Sequence, residues 1–141
     1  MDQANAIIER LALAPHPEGG WYRETWRGAA DGSGRSRGTA IHFLLEGGQR
    51  SHWHRVDADE LWLWHAGAAL DVLVADAAGA IVKTKLGGDV LAGEAPQCLV
   101  PQGCWQSTEA PGGWALVTCV VVPGFDFAGF ELAAPGWSPA Q

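Results

Sequence analysis

The spacing of apolar residues changes along the chain from a helical period to a strand period. Ile7, Ile8 and Leu11 recur at helical spacing after Asp2, a residue type that caps helix N-termini, and prolines follow at positions 15 and 17. This pattern predicts one short helix over residues 2–14. Beyond the Gly-Gly pair at 19–20, apolar and β-branched residues alternate with polar ones, which is typical of strands.

Short strand patterns separated by glycine and proline turns occupy most of the remaining chain. The segment 28–38 is rich in Gly, Ser and charge, and predicts a mobile loop. Short strands with regular punctuation and a single helix indicate an all-β barrel or sandwich, in one domain spanning residues 1–141 without repeats. The predicted strands are 21–27, 39–46, 51–55, 60–65, 69–75, 81–86, 97–100, 105–108, 114–122 and 127–132.

Three of the five histidines lie in the stretch 51–67, around which the chemistry of the chain is organised. Because side chains alternate on a strand, His52 and His54 are expected on one face and Trp53 on the other. A turn at 57–59 then returns the Glu60 carboxylate toward the two imidazoles. Two imidazoles and a carboxylate suit a first-row divalent metal, and the same groups without metal suit proton transfer.

Composition narrows the classes of function. The 141 residues are 48% hydrophobic with a net charge of -7, which fits a soluble domain and argues against nucleic-acid binding. No apolar run is long enough to span a membrane and no signal peptide is evident, so a cytoplasmic location is expected. Three cysteines without CxxC spacing argue against a disulfide framework and against a cysteine zinc site.

Two blocks of residues and a wider set of short motifs occur in a characteristic order along the chain. The blocks are Gly47, His52-x-His54, Glu60 and Gly67, then Gly93, Pro101-x-Gly103 and Gln106; the wider set includes Pro15-His16-Pro17-Glu18-Gly19-Gly20, Trp53-His54-Arg55, Asp59-Glu60 and Pro123-Gly124-Phe125. The two blocks resemble the paired motifs of the cupin superfamily, and the wider set resembles its DUF985 family. The resemblance implies a cupin double-stranded β-helix, a jelly-roll barrel with a small-molecule pocket at its mouth, usually in a dimer. Exposed sheet edges also favour a homodimer.

The chain departs from metal-binding cupins at one position. Their second motif normally supplies a final histidine, where this chain has Gln106. An amide oxygen is a weaker, neutral donor than an imidazole. The resemblance therefore gives His52, His54, Glu60 and Gln106 as a candidate site for a divalent transition metal such as Zn, Fe, Mn or Ni.

Acid/base chemistry is the competing use of the same pocket. The stretch Glu18-Gly19-Gly20-x-Tyr22-x-Glu24 is similar to the N-terminal pattern of the dTDP-sugar 3,5-epimerases, which are also cupins. There the stretch helps to bind the nucleotide diphosphate, a barrel histidine removes a proton beside a carbonyl, and a tyrosine works on the opposite face. The resemblance and the chemistry of imidazole predict His54 as base and Tyr22 as acid, with Asp57, Asp59 or Glu60 as the carboxylate that orients His54.

Further residues are candidates for holding a ligand. Arg23, Arg50 and Arg55 are suited to a phosphate or carboxylate. Trp62 and Trp64 share the Glu60 face by strand parity and, with Trp105, either line the cavity or fill the core. The remaining histidines, His16, His42 and His65, are expected to be structural.

Two classes of function stay open from the sequence. The first is an enzyme acting on a sugar-like or anionic small molecule, either by acid/base chemistry of the epimerase or isomerase kind or with a metal. The second is a binding module without catalysis. Two imidazoles and a carboxylate are costly to desolvate without a use, and this favours the enzyme.

Overall fold

The computed structural model describes residues 2–139, which form one α-helix and eleven strands. The helix is α1 (Gln3–Arg10), and the strands are β1 (Ala14–Pro15), β2 (Trp21–Arg27), β3 (Thr39–Leu45), β4 (Arg50–Val56), β5 (Asp59–Gly67), β6 (Leu70–Ala75), β7 (Ile81–Leu86), β8 (Gln97–Val100), β9 (Trp105–Glu109), β10 (Ala115–Val122) and β11 (Phe130–Leu132). The predicted all-β class with one N-terminal helix is confirmed. No helix among these residues has the length and apolar character needed to cross a bilayer.

The strands form two antiparallel sheets with the main core between them. One sheet has the order β1-β2-β3-β10-β5-β8 and the other β11-β4-β9-β6-β7. Phe43 and Trp62 from the first sheet and Val72 and Leu86 from the second belong to one buried cluster. Alternation supplies this core, since every second residue of β10 is buried. The arrangement fits the predicted jelly roll.

Helix α1 covers part of the outer face of the six-stranded sheet. The Asp2 side chain caps it by accepting a hydrogen bond from the Asn5 amide at 2.8 Å. Its apolar stripe packs with Leu44 in a second cluster. The prediction that the helix continues to residue 14 is wrong. It ends at Arg10, Ala12 has a φ of 56°, and Ala14–Pro15 pairs with β2 as a short strand instead.

Two other segments differ from their predicted form. The first residues of the last predicted strand, Phe127–Gly129, form a 3₁₀ turn because the Asp126 carboxylate accepts a hydrogen bond from the Ala128 amide at 3.0 Å. The segment predicted as a loop at 28–38 folds back on itself through an isolated bridge between Ala30 and Ser36. Arg35 ties this segment to the body of the fold through Asp57.

An uncovered apolar row crosses the outer face of the six-stranded sheet, away from α1. Its members are direct cross-strand neighbours, and Trp26 and Leu99 at its ends are 53% and 56% exposed. The adjacent row toward α1 contains no carboxylate. The apolar row is Trp26, Ala40, Val120, Leu61 and Leu99, and the adjacent row is Arg23, His42, Thr118, Leu63 and Gln97. In a chain of net charge -7, two copies repel each other least at such a face.

The homodimer expected from the sequence is a prediction that this face makes testable. If two copies dock through the apolar row, Leu99→Glu will bury a charge in the interface and convert the dimer to a monomer in light scattering. Leu91→Glu is the matched control, because Leu91 is fully exposed on a turn outside the row. A monomeric wild type, or a Leu99→Glu variant that stays dimeric, would contradict the prediction.

Candidate active site

A cavity of about 450 Å³ opens at one end of the space between the two sheets. Its floor is polar and its mouth is largely aromatic. Three phenylalanines of the segment that leads into β11 form one wall. The lining residues are His16, Glu18, Tyr22, Glu24, Arg27, Thr39, Ile41, His54, Val56, Glu60, Val121, Phe125, Asp126, Phe127 and Phe130.

A β-bulge in β4 decides which histidine faces this cavity. Ser51 pairs with Thr108 and His54 with Gln106, so β4 has one residue more than β9 between these two pairs. His54 therefore points inward, whereas His52 lies outside and its Nε2 donates to the Ala134 carbonyl oxygen at 3.0 Å. The prediction that His52 and His54 share a face is wrong, because strict alternation does not hold across a bulge.

The turn at residues 16–20 presses against the bulge. The His52 amide donates a hydrogen bond of 2.6 Å to the Glu18 carbonyl oxygen, and the His16 amide donates one of 2.9 Å to Gly20. Gly19 and Gly20 have φ values of +105° and +83°, and a Cβ at Gly19 would overlap the Arg50 carbonyl oxygen. Only glycine permits this approach, which carries the Glu18 and His16 side chains into the cavity.

His54 and Glu18 face each other on the floor. The His54 Nδ1 donates a hydrogen bond of 2.7 Å to the His52 carbonyl oxygen, so the neutral ring carries its lone pair on Nε2. This Nε2 lies 3.4 Å from the Glu18 Oε1. Burial lowers the pKa of His54, while the Glu60 charge opposes that change. The imidazole is therefore held neutral and able to accept a proton.

Glu18 is a buried carboxyl that retains its proton at neutral pH. Burial raises its pKa from 4.5 to about 8, against a smaller lowering by the Ser51 hydroxyl. The buried Ser51 Oγ makes no hydrogen bond to any of residues 2–139, so burial determines the direction in which the pKa of Glu18 moves. Glu18 thus suits the role of a proton donor.

Glu60 is the third ionisable group of the floor. Its Oε1 accepts a hydrogen bond of 2.8 Å from the Gln106 Nε2, and the Gln106 Oε1 accepts one of 3.2 Å from the Trp62 indole. Burial raises the pKa of Glu60 to about 7, while the nearby His54 lowers it and Glu18 raises it further. Its carboxyl therefore changes charge close to neutrality.

His16 belongs to the site, although the sequence assigned it a structural role. Its Nδ1 accepts a hydrogen bond of 3.1 Å from the Glu18 amide, so the neutral ring has its proton on Nε2. Burial, with a smaller effect of His54, lowers the pKa of His16 to about 4. The sequence signals for these residues were the turn motif at 15–20 and the stretch from Glu18 to Glu24, and neither shows that the turn folds into the cavity.

The candidate ligand residues divide between the cavity and other surfaces. Tyr22 and Glu24 line the cavity, and the Tyr22 ring packs edge-on against His16 with 4.4 Å between centroids. The three predicted arginines lie elsewhere. Arg50 pairs with Glu109, Arg55 pairs with Glu131 over the Trp105 ring, and Arg23 is exposed on β2. Arg27, which the sequence did not single out, is the arginine that reaches the mouth.

The three candidate tryptophans pack in the protein and do not line the cavity. Trp62 is in the main core, edge-on to Phe43, and Trp64 packs at the margin of that cluster. Trp105 packs against Trp137 with tilted rings on the outer face of the five-stranded sheet. Core filling, one of the two readings that the sequence left open, describes Trp62 and Trp64.

The donor set does not fit the metal centre expected from the sequence. His52 faces outward, and both ends of the Gln106 amide are engaged, by Trp62 and by Glu60. Within residues 2–139, no three His, Cys, Asp or Glu side chains are grouped so that they could hold a metal ion. These side chains therefore do not support the Zn, Fe, Mn or Ni ion that the sequence resemblance implied.

Comparison with known proteins identifies relatives of the fold. A family model described as Cupin superfamily (DUF985) matches residues 5–133. Protein SO0799 from Shewanella oneidensis is 43% identical, with a TM-score of 0.88 over 95% of this chain and 86% of that chain. A hypothetical protein from Leishmania major is 34% identical, with a TM-score of 0.85 over 94% of this chain and 88% of that chain.

More distant similarity extends to a larger enzyme. An oxalate decarboxylase from Bacillus subtilis is 17% identical, with a TM-score of 0.64 over 84% of this chain and 29% of that chain. At that identity the similarity concerns the fold alone. No curated protein matches the chain.

The close approach of the turn at residues 16–20 to β4 predicts that a side chain at Gly19 will strongly destabilise the fold. Gly19→Ala will lower the free energy of unfolding by about 2–4 kcal/mol, because it adds a clash with the Arg50 carbonyl to the strain of a positive φ. Gly34→Ala is the control, since Gly34 has a φ of +89° and open space around it, and should cost only about 1–2 kcal/mol. Urea denaturation giving equal losses would contradict this account of the turn.

The raised carboxyl pKa values predict how stability depends on pH. Between pH 4.5 and about 8 the folded state holds the Glu18 proton that the unfolded chain has lost, so stability falls as pH rises. Glu60 acts in the same sense up to about 7, whereas His16 acts in the opposite sense between about 4 and 6.5. Above pH 6.5 the two carboxyls determine the net effect of these groups, and the free energy of unfolding falls as pH rises.

Glu18→Gln will therefore remove most of the decline in stability between about pH 7 and pH 8, on the order of 1 kcal/mol. Chemical denaturation at several pH values measures the difference. Glu9→Gln, on the exposed face of α1, should leave the pH dependence unchanged. An unaltered slope in Glu18→Gln would show that this carboxyl titrates normally in the folded protein.

Proposed function

The chain belongs to the DUF985 family of the cupin superfamily, and we propose that its cavity binds a small polar molecule and moves a proton on it by acid/base chemistry. The observation that supports this most is the group on the floor: a neutral imidazole and two carboxyls that titrate near pH 7 and 8, enclosed together. Ionisable groups whose pKa values are shifted from their usual range toward pH 7 are typical of acid/base sites.

His54 is the proposed base. Its Nε2 lone pair faces the cavity, and its Nδ1 is fixed by the His52 carbonyl. When Nε2 accepts a proton from a C–H or O–H bond of the ligand, the imidazolium is stabilised by the Glu60 carboxylate. Glu60 is itself held in place by the hydrogen bond from Gln106. Glu60 therefore promotes the proton transfer indirectly, by stabilising the protonated form of His54.

Glu18 is the proposed acid, and Tyr22 is a second candidate for that role. The protonated Glu18 carboxyl lies beside His54, so it can return a proton to the ligand close to the point of removal. Tyr22 lines another wall, which suits delivery from a different face. Delivery from the opposite face inverts a carbon centre, as an epimerase does, whereas delivery on the same face gives exchange or isomerisation.

A sugar-like ligand fits the cavity better than an anionic one. An anion would need a free cationic side chain, and Arg27, which lines the mouth, already forms two hydrogen bonds to the Glu24 carboxylate and one to the Phe125 carbonyl. The arginines expected to hold an anion lie outside the cavity. The hydroxyl groups of a polyol can instead pair with the carboxyls of the floor.

Proton exchange with solvent tests this function directly. Ligands found by thermal-shift screening of oxo-sugars, polyols and amines are incubated with the protein in D₂O, and proton NMR follows loss of their C–H signals. Wild type should exchange one C–H position, and His54→Ala should slow that exchange by about 10²- to 10⁴-fold, the usual contribution of a general base. Tyr22→Phe and Glu18→Gln then distinguish the two acids by which variant loses activity.

His65→Ala is the matched control, because His65 lies outside the cavity and contacts Thr118. It should retain the wild-type rate. A ligand that binds without any exchange in wild type would leave a binding module as the function. Unchanged exchange in His54→Ala would remove His54 from the role of base.

The rate of exchange is predicted to depend on pH as a narrow bell. It should rise as Glu60 ionises near pH 7 and fall as Glu18 loses its proton near pH 8. Glu18→Gln should abolish the alkaline fall together with most of the rate. A profile that stays flat from about pH 6 to about pH 9 would contradict the pairing of these two carboxyls.

A further inference from the structure

Acidic side chains outnumber basic ones around the cavity, and we infer that its ligand carries an organic ammonium group. This inference rests on the proposed function insofar as it uses the same cavity. It goes beyond that function because it names the charged group by which the ligand is recognised. The argument depends on three features: the carboxyls of the lining, the state of its one arginine and the aromatic wall.

Four carboxyls line the cavity against a single arginine among the described residues: Glu18, Glu24, Glu60 and Asp126 against Arg27. Arg27 is neutralised by Glu24 through hydrogen bonds of 2.6 and 3.2 Å. Arg35 is near enough to Asp126 to interact with it, but its guanidinium is bound on both sides by Asp57. Glu18, Glu60 and Asp126 therefore have no dedicated cationic partner.

The two histidines do not supply the missing positive charge. The His16 Nδ1 accepts a hydrogen bond from the Glu18 amide, which requires a lone pair and hence a neutral ring. Burial also disfavours the charged form of His54. A cationic ligand group would favour the ionised form of the Glu18 and Glu60 carboxyls and pair with it, whereas an anion would oppose their ionisation and would find Arg27 already engaged by Glu24.

The aromatic wall suits the same ligand. Phe125, Phe127 and Phe130 pack edge-to-face at centroid distances of 4.8, 5.8 and 5.9 Å. All three line the cavity, and Phe127 is 55% exposed at its mouth. An ammonium group is attracted to the negative face of an aromatic ring, and its methyl or methylene groups pack against the same surface. A wall of rings above a floor of carboxyls matches this pair of interactions.

Three probes of similar size and different charge test the inference. Choline carries the ammonium group, 3,3-dimethylbutan-1-ol is its neutral carbon isostere, and 3,3-dimethylbutanoate is an anion with the same tert-butyl end. Binding is measured by isothermal titration calorimetry and ligand-observed NMR. Choline should bind about tenfold more tightly than the neutral isostere, and the anion should bind most weakly.

Variants assign the preference to the cavity. Glu18→Gln and Glu60→Gln should each lower the preference for choline over the neutral isostere several-fold, and circular dichroism and thermal melts matching wild type show that the variants are folded. Glu131→Gln is the matched control, because Glu131 pairs with Arg55 outside the cavity. Equal binding of choline and its isostere, preference for the anion, or no binding of choline at millimolar concentration would each overturn the inference.

The two proposals fail separately. Loss of charge preference with retained proton exchange would remove the ammonium ligand and leave the acid/base function. Binding of choline through Glu18 and Glu60, with no exchange on any ligand, would leave a cation-binding module and remove the catalysis.

Discussion

The hydrogen bond from the His52 amide to the Glu18 carbonyl oxygen is the contact on which the candidate site depends. It joins two segments that are far apart in sequence, and it forms only because both are irregular. The bulge in β4 frees the His52 amide from regular pairing, and the glycine pair at 19–20 allows the turn to approach. With this contact the turn becomes part of the cavity floor, and its side chains meet those of β4 and β5.

The floor concentrates groups that are costly to bury, and the structure limits that cost by keeping them neutral. A buried ion without a partner is destabilised by several kcal/mol, whereas a protonated carboxyl or a neutral imidazole is not. Glu18 retains its proton and His16 remains neutral at pH 7. The floor is therefore stable without ligand, and each of its groups is one proton away from a charge that a suitable ligand would stabilise.

Much of the fold could be predicted from the chain, because local patterns determine most of it. Alternation defined β2, β7 and β8 at the observed bounds, and Asp2 capped the helix as expected. The candidate site was harder to predict from the sequence. Alternation misplaced His52, since a bulge depends on the pairing of two strands and leaves no local mark. His16 and Glu18 were missed for a related reason, because the turn that carries them is positioned by β4, some 30 residues later.

Predictions from residue type alone failed in a different way. Arg23, Arg50 and Arg55 are chemically suited to an anion. Two of them already pair with surface carboxylates, and none of the three side chains lines the cavity. Trp105 is aromatic and near the second motif, but it faces outward. Side-chain chemistry indicates what a residue can do only after its face is known, and the faces of β4 and β9 depend on the bulge.

Gln106 occupies a position that determines where protons can travel. Its amide accepts from the Trp62 indole and donates to Glu60, so a continuous chain of hydrogen bonds runs from the core to the carboxyl. An amide does not gain or lose a proton at ordinary pH, and an indole does not either. This chain of hydrogen bonds holds the Glu60 carboxyl in place but does not conduct protons. Proton exchange between Glu60 and a ligand therefore does not pass through Gln106 or Trp62, whereas an imidazole at position 106 would itself be able to take up a proton.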